Sequence, residues 1–174
     1  LEKIKPIMED KSIKKIGQNI KYDWIIFLRN GIKLNPVEDT MLMSYTLDAG
    51  NNRHGMDILS EIHLGHKPLT FKDVAGIGKK QVTFDKVPIA EATHYAAEDA
   101  DITLRLYEEL VTKLEAVESL KVLNQEIEIP LIEVLSEMEQ NGAILNSKIL
   151  SSQSKDLENR IKRLEKKAYE IAGE

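Results

Sequence analysis

The chain has 174 residues, of which 42% are hydrophobic and 30% charged, a composition typical of one folded domain or of one domain plus part of a second. Its formal net charge of −5 argues against a surface that holds nucleic acid by charge alone, although bound divalent cations could supply positive charge at a local site. The absence of cysteine excludes disulfides and cysteine-bound zinc. No apolar run approaches the roughly 20 residues that span a bilayer, and the N-terminus lacks the apolar stretch of a signal peptide.

The first two thirds of the sequence are predicted to alternate short strands with helices, from the spacing of apolar residues and from the capping residues. The predicted elements are, in chain order, a helix tail at 1–8, a strand at 14–18, a helix at 22–29, an extended piece from Val37, a helix capped by Thr40, a helix at 56–63 that stops at Gly65, and a helix at 90–116. Residues 68–88 contain glycines and isolated apolar residues, which indicates a long connection.

The composition changes after residues 116–120, where we place the boundary between two parts of the chain. An apolar helix is predicted at 127–138, and Ser147 is predicted to open a charged helix that runs to the end of the sequence. The apolar residues of this last helix alternate by four and three, which predicts a narrow seam that packs on a partner.

Two short motifs pair a carboxylate with another polar side chain four residues earlier. Tyr95 precedes Asp99 by one helical turn, and Asn19 precedes Asp23 in the same way. A carboxylate that holds a metal, a second acid on another element and a tyrosine that orients water are parts of metal-assisted phosphodiester hydrolysis. Either motif by itself is also typical of an ordinary solvated helix start, so the prediction depends on the two together.

The stretches that contain these motifs, with others in the same order and spacing, resemble the bacterial family A DNA polymerases, the DNA polymerase I family. The matching stretches are 15–23, 39–45, 53–57, 95–101, 129–135 and 138–142. The resemblance implies that residues 1–118 are part of a 3′→5′ proofreading exonuclease domain. This domain would have a ribonuclease H-like α/β fold, truncated at its N-terminus. Residues 119–174 would be α-helices that begin the polymerase domain. Because the chain begins with Leu1, we expect it to be a fragment of a longer enzyme.

The resemblance also implies roles for the motif residues. Asp99 would bind one divalent metal directly, Asp23 would help to hold a second ion partly through water, and Tyr95 would orient the attacking water. The complete domain would use two Mg²⁺ or Mn²⁺ ions to hydrolyse the 3′-terminal phosphodiester of single-stranded or frayed DNA. The family's Asp-x-Glu motif has no match in this sequence. We therefore expect the chain to be inactive by itself.

Five further positions match DNA contacts of the family, namely Gln18, Asn19, Tyr22, Arg53 and Phe71. Amides and arginine suit phosphate and sugar oxygens, and an aromatic ring stacks on any base. Each aromatic also has a structural interpretation, since Phe71 could cover the core beneath its loop and Tyr22 could lie on a helix surface. Arg53, taken without the resemblance, is an ordinary solvated loop residue.

Three alternatives remain. A ribonuclease D-like RNA exonuclease shares the motifs, but the segment after Leu120 resembles a polymerase. A non-catalytic exonuclease-fold scaffold of a polymerase would have lost its acids, whereas Asp23 and Asp99 are present. A helical interaction module would use the seam of the last helix, which a polymerase domain would also cover.

The implied partners of the parent are DNA and deoxynucleotides, without a membrane. The parent would be a monomer in the bacterial cytoplasm, associated with the nucleoid. Asp39 is expected to be a strand-end or helix cap, and Trp24 to anchor its helix in the core.

Overall fold

The computed structural model describes residues 1–173, and within them the chain is mostly helical with one small parallel sheet. The helices are α1 (Lys5–Glu9), α2 (Ile20–Arg29), α3 (Thr40–Asp48), α4 (Met56–Leu64), α5 (Phe71–Ala75), α6 (Ile89–Glu115), α7 (Glu118–Leu123), α8 (Ile129–Asn141) and α9 (Ser147–Ala172). The strands are β1 (Lys15–Gly17) and β2 (Val37–Asp39). Short 3₁₀ turns occur at Gly78–Lys80 and Phe84–Lys86, and a π-helical turn at Asn124–Glu128 precedes α8.

The sheet consists of β1 and β2 in parallel, with Lys15 opposite Val37 and Gly17 opposite Asp39. Helix α2 connects the two strands, as parallel neighbours require a crossover rather than a tight turn. Both strands therefore end at the same edge of the sheet. The expected α/β class is confirmed in this limited form, with two strands among many helices.

One core cluster fastens the long helix α6 to α3 and α4. Its buried residues are Met43, Leu59, Ile102, Leu106, Leu110 and Leu114. The four residues contributed by α6 are spaced by four, so they form one continuous apolar stripe on that helix. Burying each of these side chains contributes about 1.5–3 kcal/mol relative to exposure. The stripe fixes which face of α6 points away from the core.

A second cluster surrounds Trp24, which confirms the expectation that this residue anchors α2. Trp24 clusters with Ile20 of α2, with Leu34 and Val37 before and in β2, and with Ile132 of α8. Because α8 takes part in this cluster, the compact unit Leu1–Gln140 extends beyond residue 118. The functional division at 118/119 remains a prediction.

The residues from Asn141 onward form a separate unit that consists mainly of α9. The helix begins as the sequence predicts, with the Asn146 side chain accepting a hydrogen bond from the Ile149 amide at 3.2 Å. Its seam residues Leu157, Ile161 and Leu164 are each more than half exposed. Within this unit α9 contributes no buried residue.

Several predicted boundaries differ from the observed ones. Asp39, not Thr40, caps α3, because its carboxylate reaches the Met41 and Leu42 amides from one residue earlier. The Thr40 hydroxyl instead donates to Gln18 Oε1, and its oxygen lies 3.1 Å from the Gly17 carbonyl oxygen. The connection at 68–88 is also more ordered than predicted, since a Thr70–Asp73 capping box starts the short helix α5 within it.

Candidate active site

Two predicted acids, Asp23 and Asp99, meet at one cavity of about 450 Å³. Asp23 lies in the first turn of α2, and Asp99 lies on α6 just before the buried stripe begins at Ile102. The other lining residues come from β1 and the turn after it, from α4 and from α6, namely Ile16, Gly17, Gln18, Met56, Ala100 and Thr103. The fold thus brings together carboxylates that are far apart in sequence, as the motifs predicted.

Gly17 forms part of the cavity wall where β1 turns into α2. A Cβ atom added at this position would lie 2.8 Å from Cγ1 of Ile20, closer than van der Waals contact allows. Asn19 follows in a left-handed conformation with φ of 58°, which asparagine tolerates better than most residues. This tight turn allows α2 to start directly beside the cavity and sets Asp23 at its edge.

Asp99 has an unsatisfied oxygen, because no group of residues 1–173 makes a hydrogen bond to its buried Oδ1 atom. Burial raises the pKa of Asp99, a hydrogen-bonding interaction with the Tyr95 hydroxyl opposes that rise, and the charge of Glu98 adds to it. Buried polar atoms rarely lack a partner, so this oxygen is able to accept a hydrogen bond from water or to bind a cation. A cation would satisfy it.

Tyr95 lies one helical turn before Asp99, on the same face of α6. Burial raises the pKa of Tyr95, and the neighbouring charge of Asp99 raises it further. The phenol therefore keeps its proton at neutral pH and can donate a hydrogen bond.

Asp23 is open to solvent on one side and shielded by protein on the other. Partial desolvation is the largest reason that its pKa is raised, and the charge of Asp39 raises it further. Both cavity carboxylates thus have raised pKa values, which is typical of sites that bind cations or protons.

Asp39 is buried but fully engaged. Its Oδ1 accepts hydrogen bonds from the Asn19 and Met41 amides at 3.0 and 2.8 Å, and its Oδ2 accepts one from the Ile20 amide at 2.9 Å. Burial raises the pKa of Asp39, while these amides oppose the rise. One carboxylate therefore caps both α2 and α3, which confirms the expected structural role.

The Gln18 side chain also makes hydrogen bonds within the protein. Its Nε2 donates to the His54 carbonyl at 2.8 Å, and its Oε1 accepts from the Thr40 hydroxyl. Gln18 thereby connects the cavity wall to the loop that carries Arg53. Arg53 itself is exposed, so its guanidinium is available to a ligand.

The remaining predicted DNA contacts lie in two places. Asn19 and Tyr22 are exposed at the start of α2, with Tyr22 exposed by 67%. Phe71 lies at the start of α5 and contacts Tyr95, with ring centroids 6.4 Å apart. The structure thus groups Phe71 with the catalytic candidates on α6, whereas Tyr22 projects from α2.

Two residues beside Tyr95 were not identified from the sequence. Phe84 contacts both Phe71 and Tyr95, at centroid distances of 6.2 and 5.9 Å. Glu98 accepts hydrogen bonds from His66 Nε2 and from the Leu69 amide, each at 2.9 Å. The adjacency of Glu98 to Asp99 was the only sequence signal for either residue.

The donors in the cavity suit a divalent cation in kind but are few. Carboxylate oxygens are the ligands that Mg²⁺ and Mn²⁺ prefer, and the unsatisfied Asp99 Oδ1 fits such an ion. Within residues 1–173, no group of three or more His, Cys, Asp or Glu side chains is placed to hold one metal. Asp23 and Asp99 therefore fit part of a metal site.

In the described part of the chain, no helix has both the length and the apolar character needed to cross a membrane.

Comparison with known proteins identifies related sequences over the whole chain. Residues 1–115 match a family model described as 3′-5′ exonuclease. The chain is 49% identical to the DNA polymerase I of Rhizobium leguminosarum over 174 residues, and 47% identical to that of Pseudomonas aeruginosa over 178 residues. Each alignment includes all of this chain but only 17% and 19% of the respective relative. The DNA polymerase I of Chloroflexus aurantiacus is 36% identical over 171 residues, which are 97% of this chain and 18% of that protein.

Proposed function

Because the chain belongs to the 3′-5′ exonuclease family of the family A DNA polymerases, we propose that it forms part of a proofreading site. This site would remove the terminal nucleotide from a single-stranded or frayed 3′ end of DNA. The observation that carries this function is the shared cavity of Asp23 and Asp99, with Tyr95 beside it and Asp99 Oδ1 unsatisfied. The family membership supports a ribonuclease H-like fold for the complete domain.

Asp99 would hold one Mg²⁺ or Mn²⁺ ion and Asp23 would help to hold a second. Such ions supply positive charge to the attacking and leaving oxygens of an in-line displacement at phosphorus. Desolvation of both carboxylates favours this use, because a charge that the protein shields from water gains more from a bound cation.

The protonated Tyr95 hydroxyl would orient the attacking water by a hydrogen bond at the edge of the cavity. Phe71, in contact with the Tyr95 ring, would stack on the base of the terminal nucleotide. Arg53 would pair with a phosphate, and Asn19 and Tyr22 would contact the strand where it passes α2. Gln18 would contact the DNA from the cavity wall, where its hydrogen bonds to Thr40 and His54 limit its movement.

We further propose that the 174-residue chain is inactive by itself, since two carboxylates are fewer than a two-ion site needs. The chain spans less than a fifth of the length of the relatives that it matches. In the complete protein, residues 119–174 would begin a polymerase domain that uses deoxynucleotides and a primer–template. The whole-chain similarity to DNA polymerase I supports this assignment.

The test is made in the full-length protein that carries this chain. Asp99→Ala should lower 3′→5′ degradation of single-stranded DNA by at least about a hundredfold, because a preorganised electrostatic group is lost from the site. Nucleotide addition should remain unchanged.

Asp101→Ala is the matched control, since Asp101 is an exposed acid on the same helix that forms an ion pair with Arg105 at 3.5 Å. This variant should degrade DNA like the wild type. Equal loss in both variants, or joint loss of degradation and nucleotide addition after Asp99→Ala, would contradict the proposed function. Degradation of RNA in place of DNA would favour the RNA exonuclease alternative.

A further inference from the structure

The connection between α4 and α6 has a charge opposite to that of the whole chain. Residues 67–86 contain five lysines and two aspartates, whereas the chain has a net charge of −5. The lysines are all exposed, namely Lys67, Lys72, Lys79, Lys80 and Lys86. Within residues 1–173 none of them takes part in an ion pair. The segment therefore offers positive charge that the protein itself does not neutralise.

Backbone hydrogen bonding gives part of this segment a defined loop conformation. The Val82 amide donates to the Ala75 carbonyl at 2.9 Å and closes the chain between them into a loop. Gly76 permits the closure, because it has φ of +81° and its missing Cβ would lie only 3.2 Å from the Lys80 carbonyl oxygen. The position of Lys79 and Lys80 is therefore set by the backbone of the loop.

Two anchors hold the segment against α6, the helix that carries Tyr95 and Asp99. At its start, Glu98 accepts hydrogen bonds from His66 and Leu69. Near its end, Phe84 packs on Tyr95 in an edge arrangement with an angle of 60° between the rings. Phe84 nevertheless remains 41% exposed. An aromatic residue that contacts a catalytic tyrosine and stays open to solvent has the features of a stacking surface.

We propose that residues 67–86 form a second contact surface for the single-stranded DNA substrate, with Phe84 stacking on a base and Lys79 and Lys80 binding phosphates. This inference rests on the proposed function and extends the strand path beyond the matched contacts. Aromatic rings combined with positive charge are the features by which proteins hold single strands without sequence preference. The rest of the sequence is acidic overall, so the lysines of this segment offer phosphate a favourable local charge that the net charge of the chain does not.

The test uses the full-length protein and the steady-state degradation of a short single-stranded oligonucleotide in Mg²⁺. Phe84→Leu keeps the apolar character but removes the aromatic ring. It should raise KM about tenfold and leave kcat unchanged, as expected for the loss of one base–ring stack. Phe84→Tyr should restore the wild-type KM, because the ring returns. Ile62→Ala is the control and should keep the wild-type KM, since Ile62 is 55% exposed on α4, outside residues 67–86.

The charge is tested separately with Lys79→Gln/Lys80→Gln. Each lost phosphate contact should reduce the slope of log kcat/KM against log salt by about 0.7, so the double variant should reduce it by about 1.4. The control is Lys3→Gln/Lys11→Gln, which makes the same charge change at two exposed residues elsewhere.

The outcomes distinguish failure of the second contact surface from failure of the proposed function. If the wild type degrades single strands while Phe84→Leu keeps its KM within about twofold and the lysine variant keeps its salt slope, the second contact surface is wrong and the proposed function stands. If the wild type does not degrade single strands at all, the proposed function fails and the surface fails with it. A raised KM that Phe84→Tyr does not rescue would indicate a packing role and would also overturn the inference.

Discussion

Two shielded carboxylates near the strand ends of the small sheet differ in one respect. Asp39 is 2% exposed, and its oxygens accept hydrogen bonds from amides at the starts of α2 and α3. Asp99 is partly buried, and in the described part of the chain no group makes a hydrogen bond to its Oδ1. Burial raises the pKa of both groups. Asp39 thus has its hydrogen-bond partners within the protein, whereas Asp99 keeps one oxygen unpaired among the described residues.

The difference separates a structural acid from a functional one. A carboxylate whose partners are fixed backbone amides holds the fold together and has little capacity for a ligand. A desolvated carboxylate with one unpaired oxygen is costly to the fold unless a ligand binds it, so such a group is a candidate for binding or catalysis. Composition and motif spacing alone do not separate these cases, because both residues lie in stretches that match the same family.

The largest expected effect on stability comes from replacing Asp39, whose carboxylate oxygens accept hydrogen bonds from backbone amides. Asp39→Ala should lower the free energy of unfolding by about 2–4 kcal/mol, because two helices lose their cap and buried amides lose their acceptor. Urea denaturation followed by circular dichroism measures this change. Asp99→Asn is the comparison and should not lower stability, since it removes a buried charge without breaking a hydrogen bond to Oδ1. Equal destabilisation by the two substitutions would remove the distinction between them.

Glu98 is a third acid, adjacent to Asp99, whose partners lie in the 67–86 segment and just before it. The pKa of Glu98 is lowered, mainly by the hydrogen bond from the Leu69 amide and next by the hydrogen bond with His66. Glu98→Ala should expose the Leu69 amide, so that its hydrogen exchange accelerates, and should lower stability by about 1 kcal/mol or somewhat more. Glu98→Gln should restore protection of that amide because the amide oxygen still accepts. Unchanged exchange in Glu98→Ala would show that the contact does not hold the segment.

Tyr95 is the polar neighbour of Asp99, and its removal should have a smaller effect than loss of the acid. Tyr95→Phe keeps the ring contacts with Phe71 and Phe84 but deletes one hydrogen-bonding hydroxyl. The rate of 3′-end degradation at saturating DNA should fall by about tenfold or less, in line with one hydrogen bond. Tyr45→Phe, at an exposed tyrosine of α3, should leave the rate unchanged. A loss as large as that of Asp99→Ala would give Tyr95 a role beyond orientation.

The smallest expected effects concern pH and divalent ions. Because the pKa of Asp99 is raised in the folded state, its contribution to stability is fully present below its ordinary value of 3.8. This contribution is lost as pH rises through the raised pKa. Asp99→Asn should therefore weaken the decline of stability with pH in metal-free solution. Mg²⁺ at tenfold above its dissociation constant should restore about 1.4 kcal/mol to the wild type at neutral pH. Thermal melts with and without Mg²⁺ measure both effects, and an equal Mg²⁺ shift in Asp99→Asn would contradict metal binding by Asp99.

Much of the helical structure could be predicted from local sequence. The stop at Gly65 is confirmed by its left-handed conformation, and α9 begins at Ser147 as predicted. These features depend on residues within one helical turn of each other, which sequence spacing reports directly. Thr40 was a wrong prediction for the same reason, since Asp39 is an equally good cap one position away.

The candidate site could be predicted only in part. Tyr95 and Asp99 share a helix face, which their spacing determines, and the resemblance supplied Asp23 as a second acid. The sequence could not show that Phe84 contacts Tyr95, because Phe84 belongs to a connection without periodicity. It also could not show that Gln18 is held by Thr40 and His54.

The sequence by itself determined the family, the main helices and the chemical types present at the site, since each is encoded by residue identity and short-range spacing. The tertiary structure decided which acid is satisfied and which is not. Asp39 finds amides twenty and nineteen positions earlier, at Asn19 and Ile20, whereas Asp99 Oδ1 faces a cavity. That outcome depends on how α2, α3 and α6 pack around the sheet, because hydrogen-bond partners distant in sequence are assigned only when the helices are in place.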